Sequence, residues 1–264
     1  MRLSAGRPAD TLHAVTDPLE SLLSLPGVVD GVAGARAAVD AMLNHRVLLR
    51  RSAEVSAESA LRGAWASAAL TGSQAELADV RSGAAAADPL VQAALRAQGE
   101  IGALAGTWSR APRQALARLH AVAAVDLISD PELLGRPAEV PGVAERLDTL
   151  AGVLSETSAP AMVVAAVVQG EILALDAFPP VSGIVARAAE RLTLIELGLD
   201  PKSLVTFEVG HWELRPEFES TLTAYQDGSR DGLSLWIGHC ADAIVVGARE
   251  TTAICEAIAR GVTA

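Results

Sequence analysis

Apolar residues recur along most of the chain with the spacing of an α-helix, three or four positions apart. Proline, glycine and short polar stretches interrupt this pattern and separate the helices that it predicts. The predicted helices cover residues 30–49, 58–70, 88–107, 113–125, 143–154, 161–175, 184–197, 216–225 and 233–260. The pattern therefore predicts an all-α fold.

Two regions depart from the helical pattern. Residues 1–20 are polar, and we expect an extended N-terminal arm there, followed by a single helical domain over residues 21–264. Residues 130–137 contain two prolines and a glycine, which favour a loop or a short hairpin.

Composition and charge exclude several functions. A net charge of -11 opposes attraction to nucleic acid or to an anionic membrane, because both bind cationic surfaces. The apolar run 161–168 is too short for a span of about 20 residues, so we predict no membrane segment. Cys240 and Cys255 have neither metal-ligand spacing nor a disulfide framework, which favours a reducing, cytoplasmic location.

The most informative stretch is residues 176–187, which read Asp-Ala-Phe-Pro-Pro-Val-Ser-Gly-Ile-Val-Ala-Arg. A long apolar helix meets a Phe-Pro-Pro break, and a second helix begins directly afterwards. Ser182 and Gly183 stand at the start of that second helix, where free N–H groups and the helix dipole favour an anion. Arg187 follows about one turn later, so these three residues form a candidate nucleotide or anion site.

This stretch resembles the signature of the Fic family, His-Pro-Phe-x-Asp-Gly-Asn-Gly-Arg-x-x-Arg. Aligned on Phe178, the chain also matches the signature at Gly183 and Arg187. The helix after the signature ends at Gly198-Leu199, as is common in the family. The resemblance implies a Fic-like helical bundle, with a short loop or hairpin flap over residues 128–140.

A second resemblance lies upstream, at Ser67, Thr71 and Gly72. The family's inhibitory motif has Ser or Thr, three residues, Glu, and then Gly or Asn, and its glutamate pairs with the last signature arginine. In this chain Thr71 stands in place of that glutamate. These three residues are therefore a candidate inhibitory-motif remnant.

The family transfers AMP from ATP with magnesium, and this chain departs from it at the positions that carry the chemistry. Asp176 replaces the catalytic histidine, and a carboxylate is a weaker base than imidazole at neutral pH. Pro180 replaces the metal-binding acid, and Ile184 replaces the first arginine. We therefore predict a catalytically degenerate Fic-like protein that acts as a binding or regulatory module on an unidentified protein partner.

Other interpretations stay open at this point. A divergent nucleotidyl or phosphoryl transferase would use Asp176 and Arg187 with ATP and magnesium. A plain structural interpretation has Ser182 capping the helix and Arg187 pairing with Glu190 on its surface. A helical interaction protein without nucleotide chemistry is a third interpretation, and the apolar content of residues 233–260 favours self-association.

Overall fold

The computed structural model describes residues 17–261, and within this range the chain forms eleven α-helices and no β-strand. The first five are α1 Val28–Leu43, α2 Leu48–Leu70, α3 Leu77–Ser82, α4 Pro89–Trp108 and α5 Pro112–Ala124. The other six are α6 Val143–Glu156, α7 Ala161–Ala174, α8 Ser182–Glu196, α9 Phe207–Glu213, α10 Arg215–Gln226 and α11 Arg230–Ala259. The predicted all-α fold is confirmed.

Several helix ends follow directly from local sequence. The Asp88 carboxylate accepts hydrogen bonds from the backbone N–H groups of Leu90 and Val91, which caps α4 at the position before Pro89. The Ser229 hydroxyl accepts from the Gly232 N–H and caps α11 in the same way. At the end of α8, Gly198 takes a φ of 74°, the left-handed turn that stops a helix.

The predicted single helix over residues 30–49 is wrong. α1 ends at Leu43, and α2 begins at Leu48 and runs for 23 residues, so it includes the predicted helix 58–70. In the turn between them, the His45 Nδ1 accepts the Val47 N–H at 3.3 Å. Val47 and Leu48 are both buried beyond this turn, and the change of direction lets both side chains reach the core.

Two short helices were not predicted, α3 and α9. Helices of six and seven residues contain too few turns to show a period in the sequence. α9 matters for the site because it carries two buried polar residues, Glu208 and His211.

The buried side chains form two clusters. One is built mainly from α4, α5, α6 and α8, and the other mainly from α1 and α11, with single or paired residues from α2, α9 and α10. α7 contributes to both, with Val164 and Val168 in the first and Met162 and Val163 in the second. This double contact explains why the first two turns of α7, residues 161–168, are apolar on every side.

α8 is the most deeply buried helix segment of the described chain, and it is unusually polar for that position. All of its residues from Ile184 to Leu194 are buried, including Arg187, Glu190 and Arg191. Charged residues are rarely buried completely unless they are paired. The polar groups of α8 must therefore have partners on the helices around it.

Among residues 17–261, no helix is long and apolar enough to span a membrane. The proposed extended arm, residues 1–20, lies almost entirely outside the described residues. Of its last four residues, Leu19 is buried, and the Asp17 carboxylate accepts hydrogen bonds from Thr157 and Ser158.

Candidate functional site

The loop between α7 and α8 carries the signature-like stretch. Asp176 lies at its beginning, exposed to solvent, with a left-handed φ of 43°. Its backbone N–H donates to Leu173 O, and the next N–H, of Ala177, donates to Ile172 O. These two bonds end α7 and turn the chain, so Asp176 occupies a helix-terminating position.

Ser182 fixes the other end of the loop. Its hydroxyl oxygen accepts the Phe178 backbone N–H at 2.8 Å, and the Val181 N–H donates to Phe178 O at 3.0 Å. Ser182 is the first residue of α8, and Val181, which precedes it, provides no side-chain cap. The interpretation of Ser182 as a helix cap is therefore wrong, because its hydroxyl closes the loop instead.

Arg187 is buried between α8 and the end of α2. Its Nε donates to the Ser67 hydroxyl at 2.9 Å, and its Nη2 donates to Ser67 O and the Thr71 hydroxyl, both at 2.8 Å. The side chain is only 2% exposed, so the interpretation of a surface pair with Glu190 is also wrong. The carbonyl end of α2 favours a cation at this place because the helix dipole is negative there.

Two glycines lie next to this arginine. A Cβ on Gly183 would lie 3.0 Å from Arg187 Nη2 and 3.3 Å from the Thr71 hydroxyl oxygen. Gly72 follows Thr71 with a φ of 116°, which turns the chain away from α2. The structure thus brings Ser67, Thr71, Gly183 and Arg187 together, while Asp176 lies apart from them at the far end of the loop.

The Arg187 guanidinium is held by neutral oxygen atoms. Burial lowers its pKa to about 10, and the negative charge of the Glu208 carboxylate opposes that change through space. A cation with neutral partners is not neutralised and could attract an anion. The Arg187 guanidinium is nevertheless buried and fixed by three hydrogen bonds, so an anion cannot reach it in this conformation. Access for a phosphate would require α2 and α8 to separate locally.

One turn further along α8, Arg191 is paired with a carboxylate. Its Nε donates to Glu208 Oε1 at 2.9 Å, and its Nη2 also contacts the Glu208 carboxylate. The same guanidinium donates to the Ser203 hydroxyl and to Val205 O, and it lies 4.8 Å from the centre of the Phe207 ring. This interaction fixes α9 against α8.

A buried network of neutral polar groups adjoins this pair. The Gln169 Nε2 lies 3.2 Å from His211 Nε2, and His211 Nδ1 lies 2.9 Å from His239 Nε2. Because an amide nitrogen only donates, His211 Nε2 is the acceptor and His211 Nδ1 carries the proton to His239. Burial lowers the pKa of both histidines to about 3.

Glu190 completes the network on the α8 side. Its Oε2 lies 3.3 Å from His211 Nε2, and its Oε1 has no hydrogen-bond partner among residues 17–261. Burial raises the pKa of Glu190 well above its ordinary value. This direction follows from the large free energy of burying an unpaired charge, which disfavours the ionised form of Glu190.

His120, on α5, joins the signature-like loop to the flap. Its Nδ1 accepts the Gly135 backbone N–H at 3.1 Å, and its Nε2 lies 3.2 Å from Pro179 O. Its ring centre is 5.4 Å from that of Phe178, and the residue is 1% exposed. The sequence does not indicate this role, because a single histidine within an apolar helix gives no sign of the two loops that it contacts.

The flap, residues 128–140, is a loop with one 3-10 turn, Pro131–Leu133. Its main direct backbone contact with the signature-like loop is the Ala138 N–H, which donates to Ala177 O at 2.9 Å. Between flap, loop and α5 lies a cavity of about 280 Å³. Its lining residues are His120, Ile128, Leu133, Arg136, Pro137, Ala138, Glu139 and Pro179.

The residues at this loop do not fit magnesium. Hard cations such as magnesium take oxygen ligands, and carboxylates supply most of the charge. Pro180, at the position of the family's metal-binding acid, has no side-chain oxygen, and the hydroxyl of Ser182 is already used by Phe178. Nowhere in the described part of the chain do three or more His, Cys, Asp or Glu side chains form a group that could hold a metal ion.

Neither a protein-family model nor a curated protein matches the sequence. Solved structures do match the fold. A Fic family protein from Desulfovibrio desulfuricans G20 has a TM-score of 0.69 and 17% identity, over 87% of this chain and 75% of that one. Fic-1 from C. elegans has a TM-score of 0.67 and 14% identity, over 88% of this chain and 73% of that one.

These similarities establish that the chain has the fold of Fic family proteins, as the signature-like loop and the motif upstream had implied. The fold also explains why Ser67 and Arg187 lie in contact although they are 120 positions apart. The roles of the individual site residues stay predictions.

Proposed function

We propose that this protein is a catalytically degenerate Fic-like protein that works as a binding or regulatory module and does not transfer AMP. The supporting observation is the state of the signature-like loop. Asp176 terminates a helix, Pro180 offers no metal ligand, and the Ser182 hydroxyl closes the loop. The groups that would bind a nucleotide are used to hold the loop together.

The contacts of Arg187 give this proposal its strongest support. In the family, a glutamate pairs with this arginine and blocks productive ATP binding, whereas Ser67 and Thr71 take that place here. Neutral hydroxyls hold the guanidinium in a buried position without a carboxylate. The arginine then acts as a structural tie between α2 and α8.

The test is calorimetric titration of the protein with ATP and magnesium. We expect no saturable heat at millimolar nucleotide, for the wild type and for Arg187→Met alike. The matched control is Arg215→Met, because Arg215 is an exposed arginine whose partner, Glu219, is also exposed. Circular dichroism would check that each variant is folded.

Saturable binding that Arg187→Met abolishes and Arg215→Met retains would overturn the proposal. It would favour the second candidate, a divergent nucleotidyl or phosphoryl transferase. The observation in favour of that candidate is the start of α8, where Gly183 lies beside the positively charged Arg187. Labelled ATP incubated with cell lysate would then reveal transfer, and Asp176→Asn would test the carboxylate.

A protein partner and self-association belong to the same proposal. An apolar groove of about 620 Å³ lies among α1, the start of α7 and the end of α8, with Val29 60% and Leu197 42% exposed at its edges. Apolar surface of this kind supports association with a second copy of the chain. Sedimentation of the wild type and of Val29→Asp, which should shift a dimer toward monomer, tests it.

We also propose a cytoplasmic location. Both cysteines, Cys240 and Cys255, are free thiols and buried. Fractionation of cells that make the protein would test this directly.

A further inference from the structure

The contacts of His120 require a neutral imidazole. Its Nδ1 accepts the Gly135 N–H, so that nitrogen has no proton, and its Nε2 therefore carries the ring proton and donates to Pro179 O. A protonated imidazole would place an N–H on Nδ1 facing the N–H of Gly135. Two donors cannot share a hydrogen bond, so protonation breaks the contact with the flap.

The flap has few other direct ties to the signature-like loop. The Ala138 N–H donates to Ala177 O, and no regular secondary structure other than the 3-10 turn stiffens the segment. Gly135 itself has a φ of 80°, and a Cβ there would lie 3.0 Å from Ala117 O, so the flap passes very close to α5. Loss of the His120 contact removes the hydrogen bond that joins Gly135 to α5, and the flap is then held there mainly by apolar packing of residues such as Ile128 and Leu134.

The charged and titratable groups around His120 are few. The flap contributes Arg136 and Glu139, which line the same cavity, and the signature-like loop contributes Asp176, three positions before Pro179. On α5 itself, the neighbours of His120 are apolar, with Leu116 and Leu119 both buried. Burial lowers the pKa of His120, and the Pro179 carbonyl opposes that change.

We propose that His120 is a proton-sensitive bridge that holds the flap against the signature-like loop when neutral and releases it when protonated. Release moves the flap away from His120 and Pro179 and so widens the solvent-accessible cavity of about 280 Å³ between them. The inference rests on the proposed function for its purpose, because a binding module whose flap moves with pH presents a different surface beside Pro179 at each pH.

The test is amide hydrogen exchange at Gly135, measured by NMR on the full chain without ligand. A released histidine has an ordinary pKa near 6.5, whereas the bridging one resists protonation. The fraction of molecules with a released flap should therefore rise about tenfold between pH 7.5 and pH 5.5, after correction for intrinsic exchange. The Leu119 amide, within α5, is the internal reference and should show no such change.

The matched variant is His120→Asn. Its side-chain oxygen lies near the place of Nδ1 and can accept from Gly135, but an amide does not titrate. Exchange at Gly135 in this variant should be independent of pH after the same correction. A wild type without pH dependence, or a variant that keeps it, would overturn the inference.

A second measurement covers the case in which the variant does not fold. Below about pH 6.5, the protonated fraction of His120 in the wild type, measured from its ring signals, should rise in proportion to the released fraction measured at Gly135. A ring that titrates while Gly135 exchange stays constant would refute the bridge. Because no nucleotide is present, this result is independent of whether ATP binds to the loop.

Discussion

Arg187 and Arg191 lie one turn apart on the same buried helix and solve the problem of a buried charge in different ways. Arg191 has a carboxylate partner, Glu208, whereas Arg187 has hydroxyl and carbonyl oxygens. A charge-assisted hydrogen bond is stronger than a neutral one, so each of these contacts contributes more than an ordinary helix bond. The difference between the two arginines can be measured by removing one partner of each.

Thr71→Val should destabilise the fold by about 1.5 to 3 kcal/mol, because it leaves the buried Arg187 guanidinium without one acceptor. The control is Thr252→Val. The Thr71 and Thr252 hydroxyls each donate to the carbonyl four positions earlier, Ser67 O and Ala248 O. Only the Thr71 hydroxyl also accepts a hydrogen bond from Arg187. Thr252→Val should lower the free energy of unfolding by less than about 1 kcal/mol. Equal losses in urea denaturation would contradict the role of Thr71.

Glu208→Gln should lower the free energy of unfolding by about 3 to 5 kcal/mol. The substitution leaves the Arg191 charge buried without its counter-ion, and both side chains are at most 3% exposed. The comparison is Glu219→Gln, which removes an exposed partner of Arg215 and should change stability by less than about 1 kcal/mol. Similar effects in thermal unfolding of the two variants would refute a strong buried pair.

At the scale of elements, α9 reaches its position because two glycines allow backbones to touch. A Cβ on Gly210 would lie 2.0 Å from Ala243 O, and one on Gly247 would lie 2.6 Å from Phe207 N. Those contacts bring α9 directly onto α11, which places Glu208 and His211 beside α8. The close crossing of α9 and α11 therefore determines where the buried polar groups of α9 meet those of α8.

Gly247→Ala should destabilise the protein by about 2 to 3 kcal/mol or more, because the added methyl group meets backbone that cannot yield without moving α9. Gly238→Ala is the control in the same helix. A Cβ there would meet nothing within 4 Å, so the higher helix propensity of alanine should stabilise the fold by up to about 1 kcal/mol. Chemical denaturation should show a lower free energy of unfolding for Gly247→Ala and an equal or higher one for Gly238→Ala. A Gly247→Ala variant as stable as the wild type would contradict the close crossing.

The long helices were predictable because each has enough turns to show its period, as α4 and α11 do. The turn at residues 44–47 was not, because apolar residues continue through it and only the tertiary position of Val47 and Leu48 requires the bend. α9 was not predictable because seven residues are too few to show a period. Its buried polar residues, Glu208 and His211, also resemble a solvent-exposed segment in the sequence.

The candidate site was predictable only through motifs. Resemblance to the Fic signature and to its inhibitory motif pointed to Arg187 and Thr71, which the structure shows in contact. His120 belongs to no motif, and its role depends on the separate positions of Gly135 and Pro179. A single residue that bridges two loops cannot be identified from periodicity or composition.

At the scale of the whole molecule, a net charge of -11 contrasts with a core in which burial changes the pKa of several ionisable groups. His211 and His239 stay uncharged at neutral pH because burial lowers the pKa of each to about 3, whereas burial raises the pKa of Glu190. The two effects have opposite signs in stability. Below their ordinary pKa the histidines bind protons more readily in the unfolded chain, whereas Glu190 binds its proton more readily in the folded one.

His239→Gln isolates the histidine contribution, because Glu190 and His120 are present in both proteins and cancel in the difference. Between pH 6.5 and about 3 the unfolded wild type takes up a proton at residue 239 that the folded protein refuses. The wild type should therefore lose stability relative to the variant by up to roughly 1.4 kcal/mol per pH unit in this range, with no further change above pH 7.5. Urea denaturation at pH 7.5, 6.0 and 5.0 gives the difference directly. A difference that stays constant with pH would show that residue 239 binds its proton equally well in the folded and the unfolded chain, and would contradict the lowered pKa of His239.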